Sequence, residues 1–294
     1  MRFSLWPLPS QDFVTVRHLA EQVESTGWDG VWLADHFMPN AEDTSTPWPE
    51  AWTTLAGLAA VVPRIRLGTL VTGNTYRHPA ILAKMAATVD HISQGRVVLG
   101  LGSGWQENEH QKYGIDFFST SERLARLEEA CQVIKALWGQ AEATFEGKFY
   151  QLQAAPLEPK PVQKSLPLMI GGGGERVTLK ITAQYADEWN VWGTVDTLRH
   201  KMTILDRHCE AVGRDPKDIQ RSAVALMFLT DDDKFAARMR DNAQATIAGN
   251  RNQVRDIVGA YRDAGVDELI VPDFTMGEDK QEILDVLIED VFSA

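Results

Sequence analysis

Along the chain, short runs of β-branched, aromatic and aliphatic residues alternate with longer segments in which apolar positions recur every three to four residues. A run of the first kind suits a strand buried on both faces; a segment of the second kind suits a helix that lays one apolar stripe against it. Their alternation predicts repeated βα units around a parallel sheet. Strands are expected at residues 2–6, 30–34, 66–71, 96–101, 166–170, 188–192, 221–229 and 268–272. The clearest helices are expected at 13–25, 49–60, 79–92, 121–137, 175–185 and 254–264, the third opening on Pro79 after His78. Eight strands, each followed by a helix-like segment, favour an α/β fold of the (β/α)8 TIM-barrel kind over an open doubly wound sheet. The unit between strands 4 and 5 is overlong, so an insertion is expected at about residues 105–165. It holds a long helix and then Phe145-Glu146-Gly147-Lys148-Phe149-Tyr150, whose aromatics alternate about Gly147 as in a small hairpin at the upper rim.

Composition narrows the setting. A chain of 294 residues that is 44% hydrophobic can bury one large core, and without a repeat or a low-complexity linker it is read as a single domain over residues 1–294. A net charge of -12 with no Lys/Arg run argues against nucleic acid or an anionic membrane surface as partner, because nothing is there to release counterions. No apolar run approaches the roughly 20 residues a bilayer span needs, and the N-terminal residues carry no charged-then-apolar leader pattern. A soluble, cytoplasmic enzyme acting on a small molecule is expected. Cys131 and Cys209 fall in helical patterns without a closely spaced partner, which predicts reduced, structural thiols.

Candidate chemistry gathers at the C-terminal tips of the expected strands, where parallel α/β proteins hold their sites. Strand 2 ends in Ala34-Asp35-His36-Phe37, delivering an acid and an imidazole side by side. Strand 3 runs into Thr69-Leu70-Val71-Thr72-Gly73-Asn74, strand 4 into Gly100-Leu101-Gly102-Ser103-Gly104-Trp105, and strand 5 into Gly171-Gly172-Gly173-Gly174-Glu175. Four glycines between a strand and a helix let backbone N–H groups close on a phosphate, whereas a plain βα turn needs one or two. The Gly100–Gly104 run is not a dinucleotide fingerprint, since its spacing is G-x-G-x-G and it follows a fourth strand. Taken alone, Asp35 could cap a turn and His36 could be packing; facing three glycine-rich tips, they read as groups that orient a heterocycle and move a proton. His78 reads as a helix-start residue, His91 as part of an amphipathic helix, and His110, His200 and His208 as solvated. Trp28, Trp48, Trp52 and Trp138 read as core or rim packing, while Trp105 and Trp189 could wall a ring-shaped ligand. No His-x-His follows strand 1 and no Lys stands at an inner strand tip, so a metal-dependent hydrolase and a Schiff-base aldolase are set aside, and no metal is expected.

Several ordered motifs together resemble the bacterial-luciferase-like superfamily: Ala34 to Phe37, Leu67-Gly68-Thr69 through Tyr76-Arg77-His78-Pro79, Gly95-Arg96 through Gly104-Trp105, Phe145-Glu146-Gly147, Pro159-Lys160-Pro161, Ile170 to Glu175, and Ala186-Asp187-Glu188-Trp189-Asn190. Within it, the chain is most similar to oxidoreductases that use the 5-deazaflavin coenzyme F420. The resemblance implies that Asp35 contacts the ring system, His36 sits by its reactive face, and Ser103 and Gly104 line the ring. It also implies that Asn108, with Gly171, Gly172, Gly173, Gly174 and Glu175, holds the phosphate and tail. It further implies hydride transfer at ring carbon 5, a homodimer, and a non-proline cis peptide at Thr69–Leu70 against which the ring bends. The sugar-phosphate dehydrogenase branch carries a Glu where this chain has Trp105, a Trp where it has Asn40, and a Lys where it reads Gly193-Thr194-Val195-Asp196. These departures point away from glucose 6-phosphate and toward an apolar or unsaturated substrate such as an enone, imine, aldehyde or ketone, in a pocket lined by Trp105, Trp189 and Asn40. A monooxygenase of the same superfamily that takes reduced FMN from a partner reductase is the alternative, and a non-catalytic flavin-binding barrel is a second one.

Overall fold

The computed structural model describes residues 1–241 and 244–292. Eight parallel strands close into a barrel: β1 Arg2–Trp6, β2 Gly30–Leu33, β3 Arg66–Thr69, β4 Val97–Gly102, β5 Leu168–Gly171, β6 Glu188–Trp192, β7 Gln220–Val224 and β8 Glu268–Pro272. They run in the order β3-β2-β1-β8-β7-β6-β5-β4, and pairing of β4 back onto β3 completes the ring. Around it lie α1 Phe13–Thr26, α2 Ala51–Val61, α3 Pro79–Ser93, α4 Glu107–Tyr113, α5 Thr120–Gly139, α6 Thr178–Tyr185, α7 Val195–Ala211, α8 Asp233–Arg240, α9 Arg251–Asp263 and α10 Lys280–Val286. The (β/α)8 barrel expected from the hydrophobic pattern is therefore the fold.

Three boundaries differ most from that pattern, beside shifts of one or two residues elsewhere. The unbroken apolar run at 221–229 hides a break: β7 ends at Val224, and Leu226–Leu229 turns off to pair with a short parallel strand, Thr246–Gly249. Helix α6 begins at Thr178 and not at Glu175, because the glycine turn runs on and no side chain caps the first turn. Helix α9 begins at Arg251, ahead of the apolar stripe, because Asn250 and Gln253 form a reciprocal capping box. The overlong unit after β4 resolves into the short α4, the barrel's own helix α5 against α3 and α6, and a hairpin of Glu142–Glu146 with Gln151–Pro156. Glu129 on α5 holds the hairpin turn by accepting from the amides of Lys148 and Phe149, both at 2.8 Å. Tyr150 in turn accepts from Asn74 Nδ2 at 3.1 Å, beside the upper rim.

Inside the barrel, alternate residues stack in layers. The lowest is polar: Glu268 accepts from Ser4 Oγ at 2.6 Å, Trp32 Nε1 at 2.8 Å and Arg66 at 2.6 Å, while Arg66 also pairs with Glu188. Above it Trp32, Val98, Met169, Val224 and Ile270 form a dry plug. Gly68 makes room for that indole, since a Cβ there would lie 2.3 Å from the Trp32 ring. The floor of the barrel is thus closed, and the open end is the one bearing the strand tips.

Candidate active site

Above the plug, the strand tips enclose a cavity of about 720 Å³, within the range of small-molecule sites. Its shape depends on a break after β3. The Leu70 amide still donates to Leu33 O at 2.8 Å, so regular pairing persists one residue past Thr69. The cis peptide accordingly falls at Leu70–Val71 and not at Thr69–Leu70. With the Leu70 amide turned to β2, the Thr69 carbonyl faces β4, where a Cβ on Gly100 would sit 1.8 Å from its oxygen. Val71 settles against two more glycines, whose Cβ atoms would approach it to 2.8 Å at Gly102 and 2.9 Å at Gly171. Leu70 and Val71 thereby become one apolar wall, with the backbone of Gly102, Ser103, Gly104, Gly171 and Gly172 beside it. Gly104 has φ 81° and Gly172 φ 122°, conformations in which a side chain is strained.

In the same lining stands His36, just past the end of β2. Its Nδ1 lies 2.8 Å from Glu109 Oε1, and the other Glu109 oxygen accepts the Phe37 amide at 2.9 Å. Tyr76 donates its hydroxyl to the same Oε1. Burial works to raise the Glu109 carboxyl, but the hydrogen bonds from His36, Phe37 and Tyr76 outweigh it and hold the group below the usual carboxylate range. Burial, with the adjoining Glu109, pushes the Tyr76 phenol well up, so it stays a donor. An ionised Glu109 can only accept, which puts the His36 proton on Nδ1 and leaves Nε2 as the free ring nitrogen. Trp105, 61% exposed at the mouth, meets the His36 ring edge-on at 5.4 Å.

The expected site residues separate into two groups. His36, Asn40, Leu70, Ser103, Gly104, Trp105, Gly171 and Gly172 line the cavity. Asp35 does not: it is fully buried and gripped by Arg77 at 2.7 and 3.2 Å, with Arg77 also on Glu50. Burial pushes the Asp35 carboxyl up while Arg77 pulls against it. Thr69 is buried, donating to Gly100 O at 2.8 Å, and Asn108 lies outside the lining, its Nδ2 donating to Pro39 O at 3.2 Å and its Oδ1 buried without a partner. Gly173, Gly174 and Glu175 lie beyond the lining, Glu175 pairing with Lys201 at 2.5 Å. Trp189 is wholly buried and donates to Gly172 O at 2.9 Å; strand alternation places Asn190 and Trp192, not Trp189, on the inner face. His110, expected in solvent, is buried between Thr75 Oγ1 at 2.6 Å and Gln106 O at 2.7 Å.

Missing from the sequence reading are Glu109 and Tyr76, which position His36, and the lining aromatics Trp6, Trp48, Trp192 and Phe274. The inward register of β1 and β6, two residues beyond Ser4 and Asn190, was the signal available for Trp6 and Trp192. No Asp, Glu, Lys or Arg lines the cavity among the described residues. Likewise, no group of three His, Cys, Asp or Glu side chains among them could hold a metal ion, and no helix is long and apolar enough to cross a membrane.

A closed parallel barrel thus carries a bulged third strand, a glycine-lined wall and a carboxylate-held histidine at its C-terminal mouth. The sequence profile described as luciferase-like monooxygenase matches residues 1–247, and the chain belongs to that family. It is 40% identical over 161 residues to an F420-dependent glucose-6-phosphate dehydrogenase of Kineococcus radiotolerans, covering 54% of this chain and 47% of that protein. It is 35% identical over 196 residues to the pyrimidine monooxygenase RutA of Pseudomonas syringae pv. syringae, covering 65% and 53%. The matches thus span about half the length of these curated relatives. The fold superimposes on the coenzyme F420-dependent tetrahydromethanopterin reductase of Methanopyrus kandleri with a TM-score of 0.83, at 20% identity over 99% of this chain and 98% of that one. At that identity the likeness speaks for the fold.

Proposed function

We propose that the protein is an oxidoreductase that binds coenzyme F420 along the glycine-lined wall and moves a hydride between it and a small uncharged organic substrate. The observation that carries this reading is the placement, in the lining of one cavity, of the Leu70–Val71 bulge with its glycine neighbours and the Glu109-held His36. The residues fit the cofactor: the wall is apolar, Gly102 and Gly171 let the Val71 side chain pack close against them, and the turn that runs past Gly172, whose own amide donates to Asn190 O at 2.9 Å, leads toward helix α6 with glycine amides suited to a phosphate. When bound, the deazaflavin supplies a two-electron hydride carrier at ring carbon 5. The chain supplies the rest. Leu70 and Val71 seat the ring, Ser103 and Gly104 border it, and the plug below excludes water. His36 Nε2 gives or takes the proton at the substrate heteroatom, with Glu109 and Tyr76 holding the ring in place.

The dehydrogenase relative supports the F420 reading, and the uncharged lining argues against a sugar phosphate as substrate. The RutA relative supports a second reading, FMN-dependent oxygenation with reduced flavin from a partner reductase. Fluorescence-quenching titration with F420 and with FMN separates them. Tighter binding of F420, with loss of its oxidised absorbance when an alcohol substrate is added, supports the first; equal or reversed affinities overturn it.

A further inference from the structure

Asn190 turns from β6 into the cavity, directly above the plug. Its Nδ2 donates to Ser222 Oγ at 2.8 Å. Ser222 donates in turn to Trp189 O at 3.1 Å and lies 3.8 Å from Met169 Sδ, a member of the plug. A backbone carbonyl only accepts, so the single hydroxyl proton of Ser222 is committed to Trp189, and the atom that Asn190 presents to Ser222 has to be its NH2. The amide is thereby held against flipping. Its backbone is held as well, since Asn190 O accepts the Gly172 amide at 2.9 Å.

The oxygen left over is open to a ligand. Asn190 Oδ1 accepts from no donor among the described residues, yet it is not sealed off like the Oδ1 atoms of Asn74 and Asn108, which are buried without a partner. Asn190 is 5% exposed, and the surface it keeps belongs to the cavity lining. Other polar groups of the lining lack this fixed sign: Ser103 can rotate its hydroxyl to give or to take, Tyr76 is spent on Glu109, and Gln106 gives its Nε2 to Met38 O at 2.9 Å. Gly171, the register partner of Asn190 on β5, has Val71 packed over its bare face. Neighbouring strands lie about 4.8 Å apart, so this acceptor stands one strand over from the wall that seats the ring.

We infer that Asn190 Oδ1 accepts the ring N–H on the pyrimidine edge of the deazaflavin and turns that edge toward the floor of the barrel. This rests on the F420 reading. The edge carries one N–H between two carbonyls, and the carbonyls, being acceptors, cannot pair with Oδ1. Flavins share the same edge, so Asn190 recognises the ring and not the atom at position 5.

Fluorescence titration of the purified protein with four phosphate-free rings tests this: the deazaflavin riboside core of F420, its N3-methyl derivative, riboflavin and 3-methylriboflavin. Methylation deletes the donor and leaves a buried acceptor unpaired, so it should weaken binding of the deazaflavin by about tenfold or more. In Asn190→Leu the unmethylated ring should fall to about the affinity of the methylated one, closing the gap; Asn190→Asp, still an acceptor, should keep it, with melting curves confirming that both variants fold. Equal affinities for the two deazaflavins in the parent protein, or a gap that survives Asn190→Leu, overturn the inference. If the deazaflavins fail to bind while the riboflavin pair shows the gap and loses it in Asn190→Leu, the F420 reading falls and the role of Asn190 stands. Binding of neither pair overturns both.

Discussion

His36 and Glu109 meet at 2.8 Å between Nδ1 and Oε1, one at the tip of β2 and the other in the first turn of α4. With its second oxygen on the Phe37 amide, Glu109 fixes both the imidazole and the backbone beside it. In Glu109→Gln the amide nitrogen either faces the Phe37 N–H, a donor against a donor, or faces His36 Nδ1, where it drives the ring proton to Nε2 and takes away the free nitrogen. The turnover number should fall about tenfold or more while the cofactor dissociation constant stays nearly constant, as steady-state kinetics alongside a binding titration would reveal. Because Glu109 titrates below the usual carboxylate range, its support of the fold is complete at neutral pH and fades as the pH falls through that low value. Melting curves of Glu109→Gln should therefore depend less on acid pH than those of the parent.

His36→Ala removes the imidazole that shares the cavity lining with the bulge. Turnover should drop by about 10²-fold or more, with cofactor affinity within a few-fold of the parent. A mutant of normal turnover would return His36 to a packing role.

Two glycines should respond in opposite ways. Gly100→Ala places a Cβ against the Thr69 carbonyl, so it should cost stability by about 1–3 kcal/mol or more and lower the melting temperature. Gly172→Val, at φ 122° on the cavity wall, should weaken cofactor binding while far-ultraviolet dichroism stays unchanged. If Gly172→Val leaves affinity intact, the phosphate is held elsewhere.

At the other end of the barrel, Glu268→Gln removes the buried carboxylate that Arg66 and Arg2 share, leaving Arg66 on Glu188 alone. Breaking such a pair from one side typically costs about 3–5 kcal/mol, to be read from chemical denaturation at neutral pH. Burial presses the Glu268 carboxyl upward, but Arg66, Arg2, Ser4 and Trp32 overcome it and hold it low. Its contribution is thus present above about pH 4 and lost as the pH falls further, a dependence Glu268→Gln should blunt. Ligand affinity, measured where the variant is folded, should not move.

Element type was legible because a residue buried on both faces and a residue on an apolar stripe leave different periods in the sequence. Strands β1, β6 and β8 fall where the pattern puts them, to the residue. The kink after Val224 was not legible, since both of its arms are equally apolar. At the site, glycines marked the wall because close backbone approach excludes every other residue. Orientation was harder. Asp35 and His36 are neighbours in sequence, yet one is clamped by Arg77 outside the cavity lining and the other lines it. The choice of Trp189 over Trp192 was an error of facing, and Glu109 went unseen because its partner lies on a different element.

The sealed floor has a kinetic meaning. With Trp32 and the arginine–glutamate layer blocking the lower end, the barrel is a cup and not a tube, so every ligand shares one doorway. Whatever lies nearest the plug must enter first and depart last. Two molecules stacked one above the other in the cup can only be added in that order and released in reverse.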